Sequence, residues 1–150
     1  MEVRKAELKD VESIKSISED FWEESNFAGL EPDTENWDNL ISGFIELEGA
    51  ETFVAEVEGE VVGYLSMIRE KYYTKYPLAN MFMFYVKPSN RRGSIGIRLL
   101  EASIEQAKEW EACAYYVGIS AGVSKTETSL LNLYRKFGFE DAGTFQRRIF

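Results

Sequence analysis

The sequence predicts a single α/β domain with a mixed central sheet, and three observations lead to this prediction. The chain has 150 residues, which is the length of one ordinary domain. Hydrophobic residues make up 45% of it, enough for a packed core. Helical and strand-like periods also alternate along the chain without a long linker or an internal repeat. We expect one domain over residues 1–150, with about six to seven strands flanked by about four helices.

The first part of the chain predicts a strand followed by two helices. Val3–Ala6 is a short strand candidate. Apolar residues then recur at steps of three or four over Leu8–Phe21, which predicts an amphipathic helix. Residues 22–36 are polar and acidic and predict a loop. The same helical period returns over Trp37–Ile45 and predicts the second helix.

The middle of the chain changes to a period of two and predicts strands. Thr52–Val57 and Glu60–Met67 flank Glu58-Gly59, which is typical of a β-hairpin turn. The nearly continuous apolar run Met81–Val86 predicts a strand that is buried on both faces. Pro88 ends this strand because proline cannot continue the ladder of hydrogen bonds.

The last third predicts two helices and two strands. A helix begins near Ser94, Ala114–Ser120 has the composition of a strand, and Ser124–Phe137 has a helical period. Gly138 ends that helix as a left-handed cap. The remainder, Phe139–Phe150, is strand-like.

The composition excludes several classes of function. The net charge of −9 opposes nucleic-acid binding and suits a cationic amine. The chain has no histidine and one cysteine, which argues against metal sites and against Ser-His or Cys-His nucleophiles. We see no signal peptide and no long apolar span. We therefore expect a cytoplasmic monomer or homodimer that binds neither nucleic acid nor membranes.

The segment after the apolar strand predicts an anion site. The first amides of a helix have no intrahelical partner, and the helix dipole adds positive charge there. Gly93 and Gly96 allow a ligand to approach the backbone closely, and Arg91 and Arg92 supply donors for phosphate oxygens. The segment lacks the Gly-Lys-Ser/Thr of a P-loop and the third glycine of a dinucleotide fingerprint.

Read as Arg91-Arg92-Gly93-Ser94-Ile95-Gly96, this loop resembles the Arg/Gln-x-x-Gly-x-Gly/Ala signature of the GNAT superfamily of N-acetyltransferases. Ser94 stands where the family has its central glycine. The resemblance implies that backbone amides here hold the pyrophosphate of acetyl-CoA, the cosubstrate. It also implies a preceding strand that splays from its parallel neighbour, with the acyl-pantetheine arm in the gap. The cofactor-binding residues implied are Phe84, Tyr85, Val86, Arg91, Arg92, Gly93, Ser94, Ile95 and Gly96.

A second segment, Leu130–Phe139, resembles the Leu-Tyr-x-Lys-x-Gly-Phe ending of the same family. The resemblance implies that Tyr134 is the general acid, which protonates the leaving CoA thiolate. A phenol with a pKa of about 10 can donate to a thiolate whose conjugate acid has a pKa of about 8.5. The alternative is that Tyr134 only packs.

The resemblance further implies direct attack of an amine on the thioester, with both substrates bound together. The acceptor is a small-molecule or peptide amine, expected between the first two helices, the Tyr72–Tyr76 loop and the C-terminal strand. Acidic residues in that region would attract a cationic amine: Asp20, Glu23, Glu24 and Glu31. The general base stays open between a water held by Asn80 or Ser120 and a carboxylate of Asp20, Glu23 or Glu24. Alternatively, as in many relatives, the amine simply loses its proton to water.

Three other interpretations compete with this one. The first keeps the fold but is catalytically inactive, as an acyl-CoA-binding regulatory or scaffold domain. The second is a nucleic-acid binder that uses Arg91, Arg92, Arg147 and Arg148. The third is a nucleotide-binding enzyme that uses the same loop for ATP or NAD.

Overall fold

The computed structural model describes residues 1–118, 127–144 and 146–150. Within these residues the chain forms five strands and four helices: β1 Glu2–Lys5, α1 Val11–Glu24, α2 Trp37–Glu46, β2 Ala50–Val57, β3 Glu60–Glu70, β4 Leu78–Val86, α3 Ile95–Glu109, β5 Ala114–Tyr116 and α4 Glu127–Lys136. Short 3-10 turns precede α1 at Leu8–Asp10 and follow β4 at Pro88–Asn90.

The strands form one mixed sheet in the order β1-β2-β3-β4-β5. Neighbours pair antiparallel up to β4, and β5 pairs parallel to β4. The parallel register begins at Leu78 with Ala114 and ends at Asn80 with Tyr116. Because β4 continues to Val86, the described part of β5 covers only the first end of β4.

The central strand β3 is buried on both faces, which explains its nearly continuous run of buried residues. Leu65 and Met67 on β3 pack with Leu99 of α3 on one face. Tyr64 points to the other face and packs with Ile14 and Ile17 of α1. Side chains along a strand alternate between faces, so residues of one parity share one core. Helices α3 and α1 therefore cover β3 from opposite faces.

Two local predictions are confirmed by backbone geometry. Glu58 and Gly59 have φ of 53° and 85°, as a two-residue hairpin turn of type I′ requires, and they join β2 to β3. Gly138 has φ of 82° and follows α4, with its amide donating to the carbonyl of Arg135.

The prediction of six to seven strands was wrong, since five are present in the described chain. The predicted strand Phe139–Phe150 has no ladder partner among its described residues, which are mostly exposed. Ser120 and the start of the predicted helix at Ser124 lie outside the described residues. The predicted loop 22–36 begins later, because α1 continues to Glu24.

Burial of β4 on both faces was also wrong. Phe82 is 54% exposed, whereas Tyr85 and Val86 are buried. The apolar run marks a strand that lines a cleft with part of its surface, and a ligand cleft needs apolar lining as much as a core does.

Candidate active site

A large cleft lies beside β4, where β5 no longer covers it. Its volume is about 1370 Å³, and its lining comes from β4, β5, α4, the start of α3 and the segment after Gly138. Ligand pockets of proteins typically measure about 300–1000 Å³, so this space suits a large ligand or two ligands together. Every β4 residue from Asn80 to Val86 contributes to the lining.

The start of α3 presents backbone amides at one end of this cleft. Ile95 is the first helical residue, and the first amide with a helical acceptor is that of Arg98, which donates to the Ser94 carbonyl at 2.9 Å. The amides of Ile95, Gly96 and Ile97 therefore precede the helical ladder. The Ser94 side chain forms no capping bond. Such an uncapped start, with the helix dipole behind it, favours an anion.

Neither of the two loop glycines has a positive φ, so what distinguishes them is that they place no side chain on the surface of the loop. A Cβ atom on Gly96 would lie 3.5 Å from Cζ of Phe84, an ordinary contact, and one on Gly93 would meet only the Asn90 carbonyl at 3.9 Å. Intramolecular packing thus leaves room for a side chain at both positions. Because both glycines line the cleft, their lack of a side chain leaves space for a ligand.

Arg91, predicted as a phosphate donor, uses its guanidinium within the protein. It forms a bidentate ion pair with Glu24 at 2.9 and 3.0 Å, and its Nε donates to the Val86 carbonyl at 2.8 Å. Its guanidinium carbon also lies 5.0 Å from the ring centroid of Tyr85. The Arg91 side chain therefore ties the loop to α1 and β4.

Tyr85 completes this network from the face of the sheet that α1 covers. Its hydroxyl donates to Glu24, and its ring packs edge-on against Phe21 at 5.7 Å. Burial, followed by the hydrogen bond to Glu24, raises the pKa of Tyr85. The Tyr85 hydroxyl thus has a structural partner, and only its remaining surface contributes to the cleft.

The other implied residues divide between packing and surface. Ile95 is buried and anchors α3, while Phe84 is half-buried and packs towards α3. Arg92, Gly93 and Ser94 are exposed at the loop, and none of the ion pairs formed by the described residues includes Arg92. Arg91 thus lines the cleft with its guanidinium engaged by Glu24, whereas Arg92 lies exposed beside the cleft.

Tyr134 reaches the cleft from α4. It is 4% exposed, and its hydroxyl donates to the sulfur of Met81 at 3.5 Å. Met81 directly follows Asn80, the last β4 residue that pairs with β5. Burial, and then the proximity of Tyr115, raises the pKa of Tyr134, so the hydroxyl stays protonated at neutral pH. The phenol thus lies at the point where the pairing of the two parallel strands ends within the described residues.

An irregularity in β4 next to this point was not predicted from the sequence. Ser66 pairs with Met83 while Met67 pairs with Met81, so Phe82 is an extra residue without a partner. Its ring stacks on Phe44 of α2 at 4.6 Å. Bulges of this kind bend a strand and redirect side chains, often next to active sites.

The proposed bases differ in their surroundings. Asp20 and Glu23 are exposed, and Glu24 is engaged by Arg91. Asn80 lines the cleft and donates from Nδ2 to Glu70 at 2.6 Å, a partner that was not predicted. The acidic residues of α1 and the Asn80–Glu70 pair of the sheet therefore form two separate polar groups.

No group of histidine, cysteine, aspartate and glutamate side chains suited to a metal ion occurs within residues 1–118, 127–144 and 146–150. Among the helices described here, none is both long enough and apolar enough to cross a membrane.

Residues 12–139 match the model of a family described as the acetyltransferase (GNAT) family. A relative from Sulfurisphaera tokodaii, named N-alpha-acetyltransferase, is 31% identical over 147 residues. That alignment covers 93% of this chain and 80% of the relative.

Solved structures resemble the whole chain. A putative acetyltransferase from Agrobacterium tumefaciens superposes with a TM-score of 0.78 at 16% identity, covering 99% of this chain and 100% of its own. A predicted acetyltransferase from Clostridium acetobutylicum, solved with acetyl-CoA, gives a TM-score of 0.74 at 17% identity and covers 99% and 95%. At these identities the likeness shows a shared fold.

Proposed function

Because the chain belongs to the GNAT acetyltransferase family, we propose that it moves an acetyl group from acetyl-CoA to a primary amine by direct attack in a ternary complex. Family membership makes it an acetyl-CoA-dependent acyltransferase. The observation that carries the proposal is the buried, protonated Tyr134 hydroxyl beside Met81, at the end of the β4–β5 pairing.

The residues present fit acetyl-CoA, which supplies an activated acetyl thioester when bound. The uncapped amides of Ile95, Gly96 and Ile97 suit its pyrophosphate, and exposed Arg92 adds a charged donor. The edge of β4 beyond Asn80 offers backbone groups for an extended amide-bearing arm. Phe84, half-buried beside Gly96, provides apolar contact next to that edge.

In the proposed reaction the amine nitrogen bonds to the acetyl carbon, the carbon–sulfur bond breaks, and the leaving thiolate takes a proton from Tyr134. A cationic acceptor loses one proton to water before it attacks and a second after its nitrogen has bonded to the acetyl carbon, and Tyr134 regains its proton from solvent. The raised pKa of Tyr134 keeps the acid form available at neutral pH, and transfer to a thiolate is the step that needs it. Holding both reactants in one cleft supplies the rest of the rate enhancement.

The acceptor we propose is the primary amine of a small molecule or peptide, with a peptide α-amine as the first candidate. The relative from Sulfurisphaera tokodaii is named for that class. The net charge of −9 supports a cationic acceptor, and the exposed carboxylates of Asp20 and Glu23 lie at the end of α1 near the cleft-lining Phe21.

Titration calorimetry followed by a thiol-release assay tests the proposal. We expect acetyl-CoA to bind with a micromolar dissociation constant, whereas ATP and NAD do not bind. Release of CoA thiol is then measured with heptapeptides that begin with Ala, Ser or Met, with their N-acetylated forms as controls, and with spermidine. Absence of acetyl-CoA binding, or binding without thiol release for any amine, would contradict the proposal.

A further inference from the structure

Glu70, at the end of β3, forms a polar group that the reaction described above does not use. One of its oxygens accepts from Nδ2 of Asn80 at 2.6 Å, and the other accepts from the hydroxyl of Tyr72 at 3.2 Å. The hydrogen bond to Glu70 raises the pKa of Tyr72, which keeps that hydroxyl a donor. Glu70 thus has one donor on each carboxylate oxygen.

This arrangement fixes the orientation of the Asn80 amide. An ionised carboxylate only accepts hydrogen bonds, so the NH₂ end of Asn80 must face Glu70. The amide is planar, and its oxygen therefore lies on the side away from Glu70. No donor within the described part of the chain reaches that oxygen, although Asn80 is half-buried. Within residues 1–118, 127–144 and 146–150, this acceptor atom of fixed direction therefore has no donor.

The position of Asn80 places its amide oxygen beside the proposed reaction site. Asn80 lines the cleft and is the last β4 residue paired with β5. Ala79 and Met81 face the core under α3, so Asn80 points to the opposite face, the one that α1 and α2 cover. Tyr134 approaches the same place from the α3 face, through its contact with Met81. The two side chains thus reach the end of the strand pairing from opposite faces.

We propose that Asn80, held by Glu70, accepts a hydrogen bond from the nitrogen of the incoming amine and directs it towards the thioester. This inference rests on the proposed function, and it assigns the side from which the acceptor enters. Asn80 contacts the substrate, and Glu70 is a positioning residue that acts through it. Each N–H of a primary amine is a donor that matches the amide oxygen, while the nitrogen lone pair stays directed at the acetyl carbon.

The variants Asn80→Ala, Glu70→Ala and the double variant test this pair. We expect Asn80→Ala to raise KM for the amine about tenfold, which is the effect of one hydrogen bond, with the dissociation constant of acetyl-CoA unchanged. Glu70→Ala raises KM in the same direction. The double variant is no worse than Asn80→Ala alone within about twofold, because Glu70 acts through Asn80.

Controls and a second readout separate this role from folding. Asn80→Leu keeps the side-chain size and removes the amide, and thermal unfolding of each variant checks the fold. Asn39→Ala and Glu105→Ala are matched controls, since both residues are exposed on helices. Calorimetric titration of the Ala-first heptapeptide into protein saturated with CoA measures the amine contact without turnover, and we expect the same tenfold weakening.

The outcomes distinguish the two proposals. A wild-type chain that acetylates the peptide, combined with an unchanged KM in Asn80→Ala and Asn80→Leu, would overturn the inference alone. Losses that multiply in the double variant would overturn the positioning role of Glu70. A wild-type chain that binds CoA but neither binds nor acetylates the amines would overturn both.

Discussion

We expect Arg91→Ala to lower the free energy of unfolding by about 2 kcal/mol, whereas Arg92→Ala leaves it unchanged within about 0.5 kcal/mol. The Arg91 side chain donates three hydrogen bonds, two to Glu24 and one to the Val86 carbonyl. Removing one partner of a fully buried ion pair costs about 3–5 kcal/mol, and an exposed pair contributes about 1 kcal/mol or less. The Arg91 and Glu24 side chains are 23% and 29% exposed, which places this pair between the two limits.

Thermal unfolding followed by circular dichroism measures this difference. For a chain of this size a change of about 2 kcal/mol lowers Tm by about 4–8 °C. Calorimetry well below Tm then measures affinity for acetyl-CoA, which we expect Arg92→Ala to weaken about tenfold through loss of a charge-assisted bond. Arg91→Ala should weaken it less. The double variant Arg91→Ala with Arg92→Ala should combine the lower Tm with weakening of more than tenfold.

Two further variants control the experiment. Lys9→Ala removes an exposed cation whose partner, Glu7, is also exposed, and it should leave Tm unchanged. Glu24→Ala should lower Tm as Arg91→Ala does, and the effects of the two should not add because they remove one shared interaction. The reasoning is refuted if Arg91→Ala unfolds at the wild-type temperature and weakens acetyl-CoA binding more than Arg92→Ala does.

Three other perturbations give separate expectations. Tyr134→Phe should lower kcat by about 10²–10⁴-fold in the thiol-release assay, because the general acid is lost, with acetyl-CoA affinity and Tm nearly unchanged. Gly63→Ala should lower the free energy of unfolding in urea by about 1–3 kcal/mol, because its Cβ would lie 2.9 Å from the Tyr85 carbonyl oxygen. Asp10→Asn should make the free energy of unfolding less sensitive to acid. The hydrogen bond from Arg4 lowers the pKa of Asp10, so the carboxylate stabilises the fold above its unfolded pKa of about 3.9. This stabilisation is lost as the pH falls through the pKa of Asp10 in the folded protein.

Each of these expectations has a matched control. Tyr73→Phe alters a fully exposed tyrosine and should leave kcat unchanged, so an equal kcat in Tyr134→Phe would reduce Tyr134 to a packing residue. Gly43→Ala places its Cβ in open space within α2 and should stabilise by about 0.5–1 kcal/mol. Asp33→Asn alters an exposed acid and should keep the wild-type acid profile, and an identical profile for Asp10→Asn would contradict the role of Arg4.

Local patterns made much of this fold predictable. The helical period over Leu8–Phe21 and Trp37–Ile45 corresponds to α1 and α2, because one apolar stripe suffices to dock a helix on a sheet. Glu58-Gly59 predicts its hairpin because few residue pairs adopt positive φ at both positions. The prediction of a strand over Phe139–Phe150 was wrong because strand propensity depends on context, and none of the described residues of this segment pairs with the sheet.

Part of the candidate site could also be predicted from residues that are close together in the sequence. The loop from Arg91 to Gly96 predicts an anion site from sequence, because uncapped amides at a helix start depend only on adjacent residues. The prediction that Tyr134 is the general acid came from the resemblance of Leu130–Phe139 to the C-terminal motif of the family. In the structure the Tyr134 hydroxyl donates to Met81 and so contacts β4. The chemistry proposed for these two segments is therefore predicted from the sequence alone.

By itself, then, the sequence determined the class of the fold, and it predicts an anion-binding loop and a candidate acid, because each of these depends on residues close together in the chain. Only the tertiary structure decided that Arg91 pairs with Glu24, 67 residues away, while Arg92 stays exposed. It likewise decided the bulge at Phe82 and the pairing of Asn80 with Glu70. The physical reason is that an arginine or a carboxylate has many equivalent partners in a sequence, and only packing selects which one lies within 3 Å.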